Sequence, residues 1–167
     1  IEVDQIGLFA GPSLGVVRNN SDFLVVEAED LADGKAWKVR PHYESWYPDL
    51  PSGMKMLSGA DAVAEADNRP VSKTVTALAP GSHRLWLRLK TSDPVNRGGF
   101  TISLRQNGKT LVSKEMDDSD SSLGPPHHLT WLSLDANLAA GAAEIVLSRP
   151  SNGASWVSRT MDLFVLT

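Results

Sequence analysis

Two glutamates one residue apart open the search for chemistry. In Phe23-Leu24-Val25-Val26-Glu27-Ala28-Glu29-Asp30, strand alternation sets Glu27 and Glu29 on one face, with Cα atoms about 6.5–7 Å apart. Carboxylates that close repel, and next to buried Phe and Val they need either solvent or a cation. Ca²⁺, a hard ion with flexible oxygen coordination, suits such a pair, and Asp162, early in the final apolar run, would complete the set. A solvent-facing Glu-x-Glu edge has the same spacing, so spacing alone leaves both readings open.

Ligand chemistry is concentrated in three other segments. Pro41–Asp49 carries Tyr43, Trp46 and Tyr47 beside His42, outside any alternating pattern. Such a cluster either packs down as a lid or offers its ring faces to a ligand. Asn152 and Trp156 stand just before the last apolar run. Asn96 and Arg97 precede Gly98-Gly99, and a guanidinium there fits a carboxylate or a sulfate.

Catalytic motifs fail on context. Gly11-Pro12-Ser13-Leu14-Gly15 has the letters of a nucleophile elbow, but Val16–Asn20 does not read as a helix and no α/β pattern surrounds it. Glu115–Asp120 lacks the glycine of an EF-hand loop and reads as a solvated acidic loop. His127-His128 has no third ligand at zinc spacing. Asn19-Asn20-Ser21 is a glycosylation sequon of low information.

The elements that must position these residues are short strands. Leu85, Leu87 and Leu89 alternate with Arg84, Trp86, Arg88 and Lys90, and Phe100, Ile102 and Leu104 repeat the pattern. Asn107-Gly108 supplies the positive φ of a tight hairpin between that run and Lys109–Met116. Further strands are predicted over 23–29, 53–58, 72–78, 128–134, 143–148 and 160–166. Only 61–67 has helix-forming composition, for two turns at most. Trp86 either stacks as a structural element between Arg84 and Arg88 or floors a groove. Trp131 lies within a strand and is predicted to be core, and Trp37 to be packing. The pattern predicts an all-β chain folded as an antiparallel β-sandwich.

The chain has 167 residues with 16 Lys+Arg against 20 Asp+Glu and no cysteine. That is one domain long enough to hold a core. A net charge of −4 gives nucleic acid or an anionic membrane no basic patch to grip, and no apolar run is long enough to span a bilayer. Without cysteine there are no disulfides, zinc thiolates or thiol nucleophiles. The chain begins at Ile1, as expected of a piece cut from something longer. Ile1–Phe9 and Arg159–Thr167 are alike in placing one Asp, at 4 and 162, in an apolar strand. Residues 1–22 are therefore read as a strand and linker, either the end of a preceding module or an extra edge strand, ahead of a domain over 23–167.

Three stretches in order carry a family resemblance: Val26–Asp30, Ala79–Arg88 and Met161–Leu166. Together they resemble the galactose-binding-like jelly-roll sandwich of carbohydrate-binding modules, especially families 6 and 35. The resemblance implies a structural calcium held by Glu27, Glu29 and Asp162, joining the first and last strands. It also implies a polysaccharide or oligosaccharide bound at the loops of one end, with Asn152 and Trp156 before the last strand as a second candidate pair of ligand residues, and a non-catalytic module of a secreted, extracellular enzyme with adjacent domains. The Gly-Gly-Trp usual in family 6 is here Leu129-Thr130-Trp131, a departure that bears on ligand specificity. The rival expectation is a docking sandwich that binds no sugar. An enzyme with unfamiliar spacing, such as a lyase or hydrolase, is a third.

Overall fold

The computed structural model describes residues 23–41, 49–59, 62–95, 98–150 and 159–167, with the side chains at 77 and 78 left aside. The expectations for the 1–22 strand and linker, for His42, Tyr43, Trp46 and Tyr47, for Asn96 and Arg97, and for Asn152 and Trp156 lie outside the described residues.

Among the described residues ten strands follow in chain order: β1 Leu24–Glu27, β2 Lys38–Pro41, β3 Lys55–Ser58, β4 Val71–Leu78, β5 Gly81–Lys90, β6 Gly99–Gln106, β7 Lys109–Asp117, β8 Leu129–Leu138, β9 Gly141–Ser148 and β10 Thr160–Leu166. They form two antiparallel sheets. One has the order β2-β3-β10-β5-β8 with β1 also on β10, and the other the order β4-β9-β6-β7. The all-β sandwich expected from the alternation is the observed architecture.

The core lies where the two inner faces meet. Leu85, Leu87 and Leu89 of β5, Leu132 and Leu134 of β8, and Phe164 and Leu166 of β10 are buried from one sheet. Phe100, Ile102 and Leu104 of β6 and Ile145 and Leu147 of β9 meet them from the other. Each such side chain contributes roughly 1.5–3 kcal/mol on burial, which is why a period-two pattern fixes both the sheet and its inward face. At the β6–β7 hairpin Asn107 and Gly108 have φ of 51° and 74°, as a two-residue turn of this hand requires.

Four local readings are corrected. The first strand stops at Glu27, and Ala28–Leu31 is a 3-10 turn, so Glu29 is not placed by strand alternation. The helix over 61–67 reduces to a 3-10 turn at Glu65–Asp67, a segment too short to nucleate a helix without packing. β2 was not foreseen; its burial pattern is mostly exposed, so it lacks the apolar alternation that marks the other strands. Asp118, read as part of a solvated loop, is fully buried: its Oδ1 accepts from Ser92 Oγ at 2.6 Å and from the Gly98 N–H at 2.6 Å. The carboxylate thus satisfies loop backbone that water cannot reach.

Candidate functional site

β10 is the strand around which the site is built. Its one edge is covered along its length by β5. Its other edge is shared end to end by two short strands: β3 opposite Thr160 and Met161, and β1 opposite Leu163 to Leu166. Asp162 falls at the joint. The pairing with β5 slips there, Met161 lying opposite Leu89 and Leu163 opposite Arg88, so Asp162 is the extra residue of a β-bulge. Bulges re-aim side chains, and this one turns Asp162 to the outer face of the sheet, where Arg88 Nη1 donates to its Oδ2 at 3.0 Å.

Three carboxyl groups gather at this seam. Glu27 ends β1 opposite Leu163, and Glu29 follows in the 3-10 turn with its Oε1 beside Gly53. The segment before β3 closes the seam from outside. Ser52 donates its backbone N–H to Asp162 Oδ1 at 2.7 Å, and its hydroxyl lies 2.9 Å from that oxygen and 2.5 Å from Glu27 Oε2. The single hydroxyl proton can be donated to only one of the two carboxylates at a time. Burial pushes all three carboxyls above the ordinary carboxylate range. For Glu27, Ser52 opposes that shift while Asp162 and Asp30 add to it. For Asp162, Ser52 and Arg88 oppose it. Glu29 is pushed up to about 7, chiefly by burial, with Glu27, Asp162 and Asp30 adding repulsion. Its Oε2 is buried and makes no hydrogen bond.

The donor set therefore has the chemistry of a hard-cation site: carboxylate oxygens, mutual repulsion and one buried oxygen without a partner. As placed, the described residues contain no group of three acidic, histidine or cysteine side chains assembled to ligate a metal. Arg88 and Ser52 already occupy both oxygens of Asp162.

The same outer face carries aromatic surface. Trp131 of β8 stands opposite Arg88 of β5 and is 46% exposed, which corrects its assignment to the core: the β8 residues facing inward are its neighbours Leu132 and Leu134. Trp86 of β5 is half-buried and meets the Trp131 ring edge to face, with centroids 6.4 Å apart. Arg84 lies over the Trp86 ring at 5.4 Å and pairs through Nε and Nη2 with both oxygens of Asp135 at 2.6 and 3.0 Å. Trp86 thus stacks on the Arg84 guanidinium, as the structural alternative has it, and meets the Trp131 ring. Trp37, by contrast, is fully buried packing, its ring tight against Gly59.

The segment that leads out of the aromatic stretch is tied to this face at two points. Asp49 Oδ2 accepts from the Leu129 N–H at 2.9 Å and lies 3.3 Å from His128 Nδ1, at the start of β8. Three residues later Ser52 is bound at the seam. His127 pairs with Asp93 at 3.7 Å, so the two histidines serve separate carboxylates. Ser52 and Asp49 escaped sequence reasoning. Their only signal was the turn composition of Pro48-Asp49 and Pro51-Ser52-Gly53.

No protein-family model matches the sequence, and no curated protein matches it. The fold has close counterparts among solved structures. The C-terminal family 6 carbohydrate-binding module of a marine laminarinase from Zobellia galactanivorans aligns with TM-score 0.56 and 13% identity over 87% of this chain and 99% of that one. The first family 36 module of a multidomain xylanase, from the hindgut metagenome of Trinervitermes trinervoides, aligns with TM-score 0.51 and 14% identity over 87% and 97%. An exo-β-1,3-galactanase of Phanerochaete chrysosporium, solved with β-1,3-galactotriose, aligns with TM-score 0.57 and 20% identity over 86% of this chain. The present chain spans 28% of that enzyme's length. The chain thus shares its β-sandwich fold with these family 6 and family 36 carbohydrate-binding modules.

Proposed function

We propose that this domain is a non-catalytic carbohydrate-binding module that holds a secreted, multidomain polysaccharide-degrading enzyme against its glycan. The observation that carries the reading is the exposed Trp131 ring, backed edge-on by Trp86 on the outer face of the six-stranded sheet. An exposed indole on a rigid strand presents an apolar plane for the C–H face of a pyranose, and it loses little entropy on binding because the strand already fixes it. Ser133, the Arg84–Asp135 pair and Arg88 flank the rings with donors and acceptors for hydroxyl groups. Tyr43, Trp46 and Tyr47 are proposed as further ligand contacts, and Asp49, which follows them in the chain, is bound at the start of β8. Binding of this kind raises the local concentration of the parent enzyme on its polymer and requires no chemistry of the domain itself.

Calcium belongs to the same proposal. Glu27, Glu29 and Asp162 would hold it, and the unpartnered Glu29 Oε2 supports the assignment. The ion would tie the first strand to the last and stabilise the fold. In the chain itself, Ser52 and Arg88 keep Asp162 in place, and the bulge keeps it on the outer face.

The deciding experiment is affinity electrophoresis and calorimetry with β-1,3-galactan, laminarin and xylan, with calcium and with chelator, on the native chain, Trp131→Ala and Trp46→Ala. Binding to at least one glycan that Trp131→Ala reduces tenfold or more, at unchanged melting temperature, is expected. Loss with Trp46→Ala alone would move the site to the loop. No binding to a broad glycan panel would favour a docking sandwich that packs on a neighbouring domain.

A further inference from the structure

The tryptophan face of the six-stranded sheet carries its own charge pattern. β5 and β8 lie side by side with Arg84 opposite Asp135, Trp86 opposite Ser133, Arg88 opposite Trp131 and Lys90 opposite Leu129. Leu85, Leu87 and Leu89 between them are fully buried, so Arg84, Trp86, Arg88 and Lys90 share the outer side. Each guanidinium there already holds a carboxylate. Arg84 Nε and Nη2 donate to Asp135 Oδ1 and Oδ2 at 2.6 and 3.0 Å, and Arg88 Nη1 donates to Asp162 Oδ2 at 3.0 Å. Lys90 is not free either. Among the described residues of these two strands, the outer face therefore offers an incoming anion no open guanidinium.

We infer that Asp135 sets the charge class of the ligand: by neutralising Arg84 beside Trp86, it makes this face a site for uncharged glycans and turns away uronic and sulfated ones. The inference rests on the glycan reading above and deepens it. The bidentate contact matches the planar fork of the guanidinium, which also lies 5.4 Å from the Trp86 centroid, so Arg84 is held from two sides. The pair is within reach of a ligand, its side chains being 47% and 63% exposed. A ligand carboxylate that took Arg84 from Asp135 would exchange one anion for another. It would also leave Asp135 charged and unpaired beside it, a like-charge contact that disfavours binding. Hydroxyl groups face no such exchange. Arg84 Nη1 can still donate and each Asp135 oxygen keeps a lone pair, so a sugar diol can add to the pair without breaking it.

The test measures Kd by calorimetry for β-1,3-galactan, laminarin and xylan, each carboxymethylated or, as an uncharged control of similar bulk, hydroxyethylated to the same degree. The chains are the native one, Asp135→Asn, and Glu115→Gln, which removes the same charge from an exposed position on β7 of the other sheet. The native chain should bind a hydroxyethyl polymer about tenfold more tightly than its carboxymethyl counterpart. Asp135→Asn should reduce that ratio to about threefold or less by freeing Arg84 for the ligand's carboxylate, and Glu115→Gln should leave it unchanged. Adding Arg84→Gln to Asp135→Asn should abolish the gain in carboxymethyl binding. The pair is exposed, so these variants should melt with the native chain. A native chain that binds the carboxymethyl polymer as tightly as the hydroxyethyl one would overturn the inference and leave the glycan reading standing. So would a ratio that Asp135→Asn does not change, or that Glu115→Gln changes as much. Binding to none of the polymers, the unmodified ones included, would remove the glycan reading and this inference together.

Discussion

Glu29→Gln should stabilise this protein at alkaline pH in the absence of metal, although it removes a charged residue from a cluster. The Glu29 carboxyl is pushed up from 4.5 to about 7 in the fold. Between those values the folded chain holds a proton that the unfolded chain has released. The contribution of Glu29 is thus most favourable below pH 4.5, and is progressively lost as pH rises to about 7. Above that pH the fold bears the full cost of an ionised, half-buried carboxylate beside Glu27 and Asp162. At 1.36 kcal/mol per decade of proton affinity, the ceiling is about 3 kcal/mol; partial solvation of the group brings the expectation to about 1–2 kcal/mol. Gln is nearly isosteric with the protonated acid and cannot ionise. Melting curves in chelator should superpose near pH 4.5 and separate by about 3–6 °C in favour of Glu29→Gln at pH 8. Calcium at pH 8 should reverse the order, because the native chain gains a ligand that the amide does not replace. A variant that melts at or below the native temperature in chelator at pH 8 would refute the reasoning, since burial would then not be opposing ionisation.

Three further outcomes follow from packing and turn geometry. A Cβ at Gly59 would lie 2.7 Å from the fully buried Trp37 ring, so Gly59→Ala should cost about 2–4 kcal/mol in urea unfolding. Gly108→Val places a β-branched residue at φ 74° in the β6–β7 turn and should cost about 1–2 kcal/mol by the same assay. Arg84→Ala removes an exposed ion pair and should leave the urea midpoint unchanged, while weakening any glycan contact made beside Trp86 in binding assays.

Much of the sandwich was legible in the sequence because burial on one face of a strand imposes a period of two. Leu85, Leu87 and Leu89, then Phe100, Ile102 and Leu104, announce both a strand and its inner face. Asn107-Gly108 announces its turn for an equally local reason, the positive φ that those residues tolerate. β2 escaped because an exposed strand has no such period, and Asp118 because its burial depends on loops that meet only in space.

The acidic seam divides the two kinds of information. Sequence named Glu27, Glu29 and Asp162, but for Glu29 the stated spacing was that of a strand, and the chain turns before reaching it. What brings the three into one electrostatic neighbourhood is tertiary: β1 and β3 share one edge of β10, a bulge at their joint turns Asp162 outward, and Ser52 closes over it. Trp131 shows the same division in reverse. Its place on β8 could be read from the residues, yet whether its face met solvent or another layer depended on what the fold laid over that side of the sheet. Local periodicity reports which face of an element is apolar. Only the assembled chain decides what stands opposite, because that is set by contacts between residues far apart in sequence.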